Sequence, residues 1–224
     1  MSPRVSPLNL RTQLESQLRR TIPDAELQAT ALPLAPAVSL LLIDENYPRG
    51  RLEDEVARAI LASPAYWGFC WASGQVIAKW LLSTPGAVAA RKVLDFGCGS
   101  GVAGIAAHLA GAREVHACDN DPAALVATLA NAELNGAPVT CHAALEDIHE
   151  SFDLVLAADV LYDRDNLPLL EVLKGFAPTV IVADSRVKAD NLPGYEVMVR
   201  ETATTIPDLD ESAEFNDVRV YRSV

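Results

Sequence analysis

The sequence predicts an α/β protein: a doubly wound, mostly parallel sheet of seven strands with an antiparallel terminal strand and a helical N-terminal extension. Three observations predict it. From residue 91 short apolar segments alternate with helical patterns. A loop with four closely spaced glycines follows the first of those segments. The last quarter of the chain carries two strand-like segments with no room for a crossover helix between them.

The first 65 residues are the less regular part, and the reading separates 1–65, an extension packing on the core, from a main domain over 66–224. Leu10, Leu14 and Leu18 recur every fourth residue, which is one face of an amphipathic helix. Pro23, Pro33, Pro36 and Pro48 break the following stretch into short pieces. Within it "VSLLLID" (38–44) reads as a strand, and "LEDEVARAILAS" (52–63) as a helix opening with acids in its first turn. After Gly74, the positions Val76, Ile77, Trp80 and Leu81 keep helical spacing up to Pro85.

The alternation then begins. "KVLDF" leads to a helix near 101–110, "EVHACD" to one near 122–134, and "VTCHA" to a loop. "FDLVLAAD" leads to a helix near 166–176, followed by "TVIVAD". Near-continuous apolar strands of this kind belong to a parallel sheet covered on both faces. "YEVMVRETAT" and "FNDVRVYRSV" close the chain as a hairpin. In such a fold the ligand sits at the carboxyl ends of the strands.

Composition narrows the partners. A chain of 224 residues, 50% hydrophobic and 21% charged, is an ordinary globular protein with a full core. Its net charge of −12 argues against nucleic acid, whose phosphates need a basic surface. It fits a basic protein or a cationic small molecule. No apolar run reaches the roughly 18 residues of a membrane span. Cys70, Cys98, Cys118 and Cys141 show no CxxC and no pairing with nearby histidines, which argues against a disulfide framework or a zinc site. Free thiols and an N-terminus without a signal-peptide core lead us to expect a cytoplasmic protein.

"RKVLDFGCGSGVAG" (91–104) carries the chemistry. Gly97, Gly99 and Gly101 allow a tight turn and close approach of a ligand to a helix N-terminus. A pyrophosphate there would be repelled by Asp95, two residues before the first glycine. A ligand with an ammonium and a sulfonium and no phosphate, S-adenosylmethionine, suits that carboxylate. Asp119, about twenty residues beyond the glycines, can accept from both ribose hydroxyls. Asp121 opens the next helix as an N-cap. Ala144 to Asp147 occupy the adenine edge, where Glu146 or Asp147 can receive the exocyclic amine.

D-x-G-x-G-x-G, an acid ending the second strand and the βα alternation together resemble the Rossmann-like class I S-adenosylmethionine-dependent methyltransferases over about residues 91–224. The resemblance implies that Cys98 and Asn120 join Asp95, Gly97, Gly99, Gly101, Asp119 and Ala144 around the cofactor. "LAADVLYD" (156–163) places Asp159 and Tyr162 where the methyl group is transferred, without the prolines common in methyltransferases of amide or nucleobase nitrogens. This Asp-x-x-Tyr resembles the seven-strand protein lysine methyltransferases. "SPAYWGFCWASGQVIAKWLLSTPG" (63–86), "NAELNG" (131–136) and "VRVYR" extend the likeness to the electron transfer flavoprotein beta-subunit lysine methyltransferase group. Bacterial relatives of that group are often described as similar to nicotinamide N-methyltransferase. The likeness implies that Trp71, Ser73 and Gly74 lie over the cofactor and that Asp159, beside both cofactor and acceptor, is catalytic together with Tyr162. Ala72 stands where a Pro is expected, and "ADSRVKAD" replaces a Gly-Asp-Pro-Gly turn. The expected activity is lysine N-methylation of a protein in a basic context, such as an electron transfer flavoprotein beta subunit. A small-molecule N-methyltransferase with a nicotinamide-like acceptor and a catalytically silent binding module are the alternatives. Five acids in "IPDLDESAEFND" (206–217) are expected beside the acceptor channel.

Overall fold

The structure is a computed structural model that describes residues 7–47, 53–162, 164–187 and 192–224. Pro48, Leu52, Asp163 and residues 188–190 of "ADSRVKAD" lie outside the described residues.

The extension is mixed rather than only helical. Helix α1 (Pro7–Leu18) buries Leu14 and Leu18, as their spacing predicts. An antiparallel ribbon follows, β1 (Leu27–Ala31) with β2 (Ser39–Ile43). β1 has no apolar alternation to reveal it, and its ladder with β2 holds it extended. Helix α2 (Asp54–Ala62) begins with Asp54 and Glu55, which complement the positive end of its dipole. Helix α3 (Ala72–Ser83) is buried over most of its length.

The main sheet comprises β3 (Lys92–Phe96), β4 (Glu114–Cys118), β5 (Thr140–His142), β6 (Leu154–Ala158), β7 (Val180–Asp184), β8 (Tyr195–Thr202) and β9 (Asp217–Ser223). Their order is β5-β4-β3-β6-β7-β9-β8, parallel except that β9 runs antiparallel to both neighbours. The chain thus reverses direction across the sheet between β3 and β6. Helices α4 (Val102–Leu109) and α5 (Pro122–Leu134) follow β3 and β4, and α6 (Leu169–Leu173) precedes β7. One face carries Val93, Leu154, Leu156 and Ile181 packed with α3 and α4; the other carries Leu94, Val155, Ala157 and Val182 with Leu170 and Leu173. α6 is shorter than its pattern suggests, because Pro168 and Gly175 bracket it. The edges are protected: β5 is three residues long, and β8 carries Glu196, Arg200 and Glu201 and a register shift. Among the described residues no helix is long and apolar enough to cross a membrane.

The extension is tied to the main sheet by α5. Asn131 Oδ1 accepts the Leu41 N–H at 2.7 Å, and Asn135 Oδ1 accepts the Ser39 N–H at 3.0 Å. Four residues of helix advance about 6 Å and two residues of strand about 6.8 Å, so the two amides meet alternate N–H groups on β2. The side chains of "NAELN" therefore stand in for a neighbouring strand. Asn131 Nδ2 also donates to Ser100 O at 2.8 Å, inside the glycine loop. Asn131 is fully buried. Asn131→Ala leaves a buried donor and a buried acceptor unpaired and should cost about 2–4 kcal/mol. Urea unfolding checks this: the midpoint should fall while the slope stays constant.

Candidate functional site

A cavity of about 660 Å³ opens at the carboxyl ends of β3, β4 and β6, where the strand order reverses. Gly97 and Gly99, Asp119 and Asn120, Ala144 and Glu146 line one part of it. Asp159, Tyr162, Tyr66, Trp71 and Arg186 line another.

The glycine loop explains its own sequence. Gly97 has φ +66°, and a Cβ there would stand 2.6 Å from Val160 Cγ1. Gly99 also has positive φ, but no atom lies within 4 Å of its would-be Cβ, so its backbone borders open space. Its N–H donates to Asp119 Oδ2 at 2.9 Å, and Asp121 N–H donates to Oδ1 at 3.0 Å. The Asn120 N–H also bonds this carboxylate, and burial holds it above its ordinary value. Asp121 accepts from Ala123 N–H and caps α5 as expected.

Asp95 points elsewhere than the cavity. It shares a sheet face with Val93 and accepts the Gly104 N–H of α4 at 2.8 Å. A Cβ on Gly104 would lie 3.1 Å from that oxygen. Gly104, the fourth glycine of the loop, therefore makes room for a buried carboxylate. Burial pushes Asp95 up to about 7.

Four other candidate residues also lie behind the cavity wall. Gly101 caps α4 in the left-handed region against Thr128. Cys98 is buried and accepts from Thr128 Oγ1, and its thiol lies well above the usual range. Gly74 packs α3 against Val102 of α4. Ser73 is fully buried and bonds Asp159.

Asp159 ends β6 in the left-handed region, φ +54°. Its Oδ1 accepts from Ser73 Oγ at 2.7 Å and its Oδ2 from Ser73 N at 3.1 Å. The carboxylate thus caps the first turn of α3 rather than the helix that follows it in sequence. Desolvation pushes Asp159 up to about 7; Ser73 opposes this, and Asp184 at the end of β7 adds to it. Tyr162 is 59% exposed at the mouth, 6.0 Å from Tyr66, whose ring meets Trp71 edge-on at 5.8 Å.

Two rim residues carry no sequence motif. Arg186, within the departing "ADSRVKAD", stacks on Phe215 at 4.1 Å and pairs with Glu211 at 3.5 Å. Its partners come from the acidic connection, which thereby reaches the cavity rim. Asp217 of the same connection is paired with Arg200 and Arg219. Tyr66 could have been found only as an aromatic next to Trp67.

The sheet order, the antiparallel last pair and the site at the reversal point are those of the class I methyltransferase fold. Residues 79–164 match the family model described as Ribosomal protein L11 methyltransferase (PrmA). The chain is similar to the electron transfer flavoprotein beta subunit lysine methyltransferase of Danio rerio, 37% identical over 156 residues, 68% of this chain and 59% of that protein. The protein of the same name from Mus musculus is 36% identical over 135 residues, 59% of this chain and 52% of that one. The chain thus spans little more than half the length of these relatives. Among solved structures, magnesium protoporphyrin IX methyltransferase from Synechocystis PCC 6803 superposes with a TM-score of 0.53 at 18% identity, over 80% of this chain and 86% of that one. That likeness is one of fold.

Two outcomes follow. Gly97→Ala should lower the melting temperature clearly more than Gly99→Ala, because only the first meets a packed side chain; parallel thermal melts decide it. Asp159, raised from about 4 to about 7, favours the fold in its protonated form. That contribution is complete below about pH 4 and is lost as pH rises through about 7. The urea midpoint of Asp159→Asn relative to wild type should therefore move in the variant's favour from about pH 4.5 to about pH 7.5.

Proposed function

We propose that this chain is an S-adenosylmethionine-dependent methyltransferase whose acceptor is a lysine side chain of a protein. The observation that carries the reading is the pair of carboxylates lining one cavity, Asp119 just after β4 and Asp159 just after β6. The similarity to lysine methyltransferases supports it, as does a fold shared with a methyltransferase solved with bound S-adenosylmethionine.

The residues fit this cofactor. Asp119 lines the cavity as an acceptor for a ribose hydroxyl, Gly99 presents bare backbone to open space, and Ala144 and Glu146 offer an edge for adenine. Trp71 borders the remainder, and the buried Asp95, Cys98, Gly101, Ser73 and Gly74 shape the wall from behind. When bound, the cofactor supplies a methyl group on a sulfonium, open to in-line displacement by a neutral amine.

The chain's own groups act on that amine. A lysine has a reference pKa near ~10.4, so it reaches the mouth as an ammonium and must release its proton to water before its nitrogen attacks. Asp159, held rigidly by Ser73, orients the amine and stabilises the positive charge that grows on nitrogen. An approaching cation lowers its raised pKa and favours the carboxylate form. Tyr162, with Tyr66 and Trp71, presents aromatic faces to the cationic side chain at the mouth. The net charge of −12 favours a partner with a basic stretch around its target lysine. An electron transfer flavoprotein beta subunit is the first partner to try. Four free cysteines suit a reducing, cytoplasmic setting.

Calorimetric titration should show binding of S-adenosylmethionine and S-adenosylhomocysteine and none of NAD. Asp119→Ala should weaken both by ~1.5–3 kcal/mol. Asp159→Asn and Tyr162→Phe should keep S-adenosylhomocysteine affinity while kcat and kcat/KM for the protein acceptor fall together. Tight NAD binding would overturn the cofactor reading. Faster methylation of nicotinamide than of any protein fraction would replace the acceptor.

A further inference from the structure

We propose that His116, His142 and Glu150 form a binding site for one divalent transition-metal ion at the β4–β5 edge of the sheet, outside the cavity. His116 and His142 stand on neighbouring parallel strands, where Cys118 pairs with His142, so the two rings are diagonal neighbours on one face. The rings are within 11° of parallel, with His116 Nδ1 2.8 Å from His142 Nε2. Glu150 Oε1 lies 3.4 Å from His116 Nδ1. The three ligand atoms all lie within 4.8 Å of one another. Ligands bound at about 2.1 Å sit roughly 3–3.5 Å apart around an ion, so small side-chain adjustments complete the geometry.

The surroundings prepare His116 as a ligand. Glu114 Oε1 accepts from His116 Nε2 at 2.8 Å. The Lys92 ammonium stands 3.3 Å from the same oxygen, and a carboxylate so placed can only accept. A neutral His116 therefore keeps its proton on Nε2 and turns the Nδ1 lone pair toward His142 and Glu150. A carboxylate behind a ligating imidazole is the usual outer-shell arrangement of a metal site. Without metal, His142 Nε2–H donates into the His116 lone pair. On binding, that proton moves to His142 Nδ1 and no net proton leaves.

Lys92 is the competitor. Its ammonium hydrogen-bonds Glu150, lies 3.3 Å from Glu114 and sits over the Phe152 ring. Two carboxylates and one ammonium leave the cluster with a charge of −1, which a divalent ion reverses. Imidazole with carboxylate suits Zn²⁺, Co²⁺ and Ni²⁺. Glu150 is exposed, so water can fill the open positions. The ion would join β4, β5 and the loop before β6. The site is independent of the proposed methyl transfer.

The test is a Co²⁺ titration of EDTA-stripped protein at neutral pH, read by visible absorption, with Zn²⁺ melting curves alongside. One equivalent should bind saturably, raise the melting temperature and give no thiolate charge-transfer band, which separates the site from Cys118 and Cys141. His142→Ala, Glu150→Gln and Glu114→Gln should each weaken binding by about 10-fold or more. Lys92→Met should tighten it. Acidification below about pH 6 should release the ion. Metal-free melts of each variant check that it folds. No saturable binding to wild type, undiminished binding to His142→Ala, or a thiolate band overturns the proposal.

Discussion

The grip of Asp159 on Ser73 is the constraint on which the site depends. A carboxylate at the end of β6 takes both the hydroxyl and the amide of a residue 86 positions earlier, at the first turn of α3. The left-handed backbone at Asp159 is the strain that turns the side chain to this task. In return the start of α3, and with it Trp71, is fixed over the open ends of the strands. The same desolvation that lifts the carboxyl toward neutrality makes it responsive to any cation entering the cavity.

Carboxylates at strand ends recur here with different duties. Asp95 faces α4 and holds it through Gly104; Asp119 faces the cavity and braces Gly99; Asp184 is fully buried and turns the chain after β7 by accepting from Arg186 and Val187. Burial raises all three. Successive residues of a strand point to opposite faces, so position along the strand decides which carboxylate faces the cavity and which faces a helix.

The extension belongs mechanically to the same site. Asn131 and Asn135 pair with the free side of β2, and Asn131 also holds Ser100. Movement of the ribbon and of the glycine loop is therefore coupled through one helix. Trp67 carries the contact further, packing with Ile43 and Ala127 while bordering the cavity.

The sequence by itself determined the sheet. β3, β4, β6 and β7 were legible because a parallel strand covered on both faces must be apolar throughout. The closing hairpin was legible from the missing helix, and the glycine turn with Asp119 from spacing alone. What it could not show depends on contacts between distant residues. β1 has no pattern of its own and exists through its ladder with β2. Asp95 could be placed before the glycines, but only the packing of α4 showed that it turns from the cavity to Gly104. Arg186 reached the rim through Phe215 and Glu211, and His116 found His142 only because β4 and β5 lie side by side. Local pattern records burial and backbone freedom, whereas the partners of a polar side chain are set when the sheet closes its register.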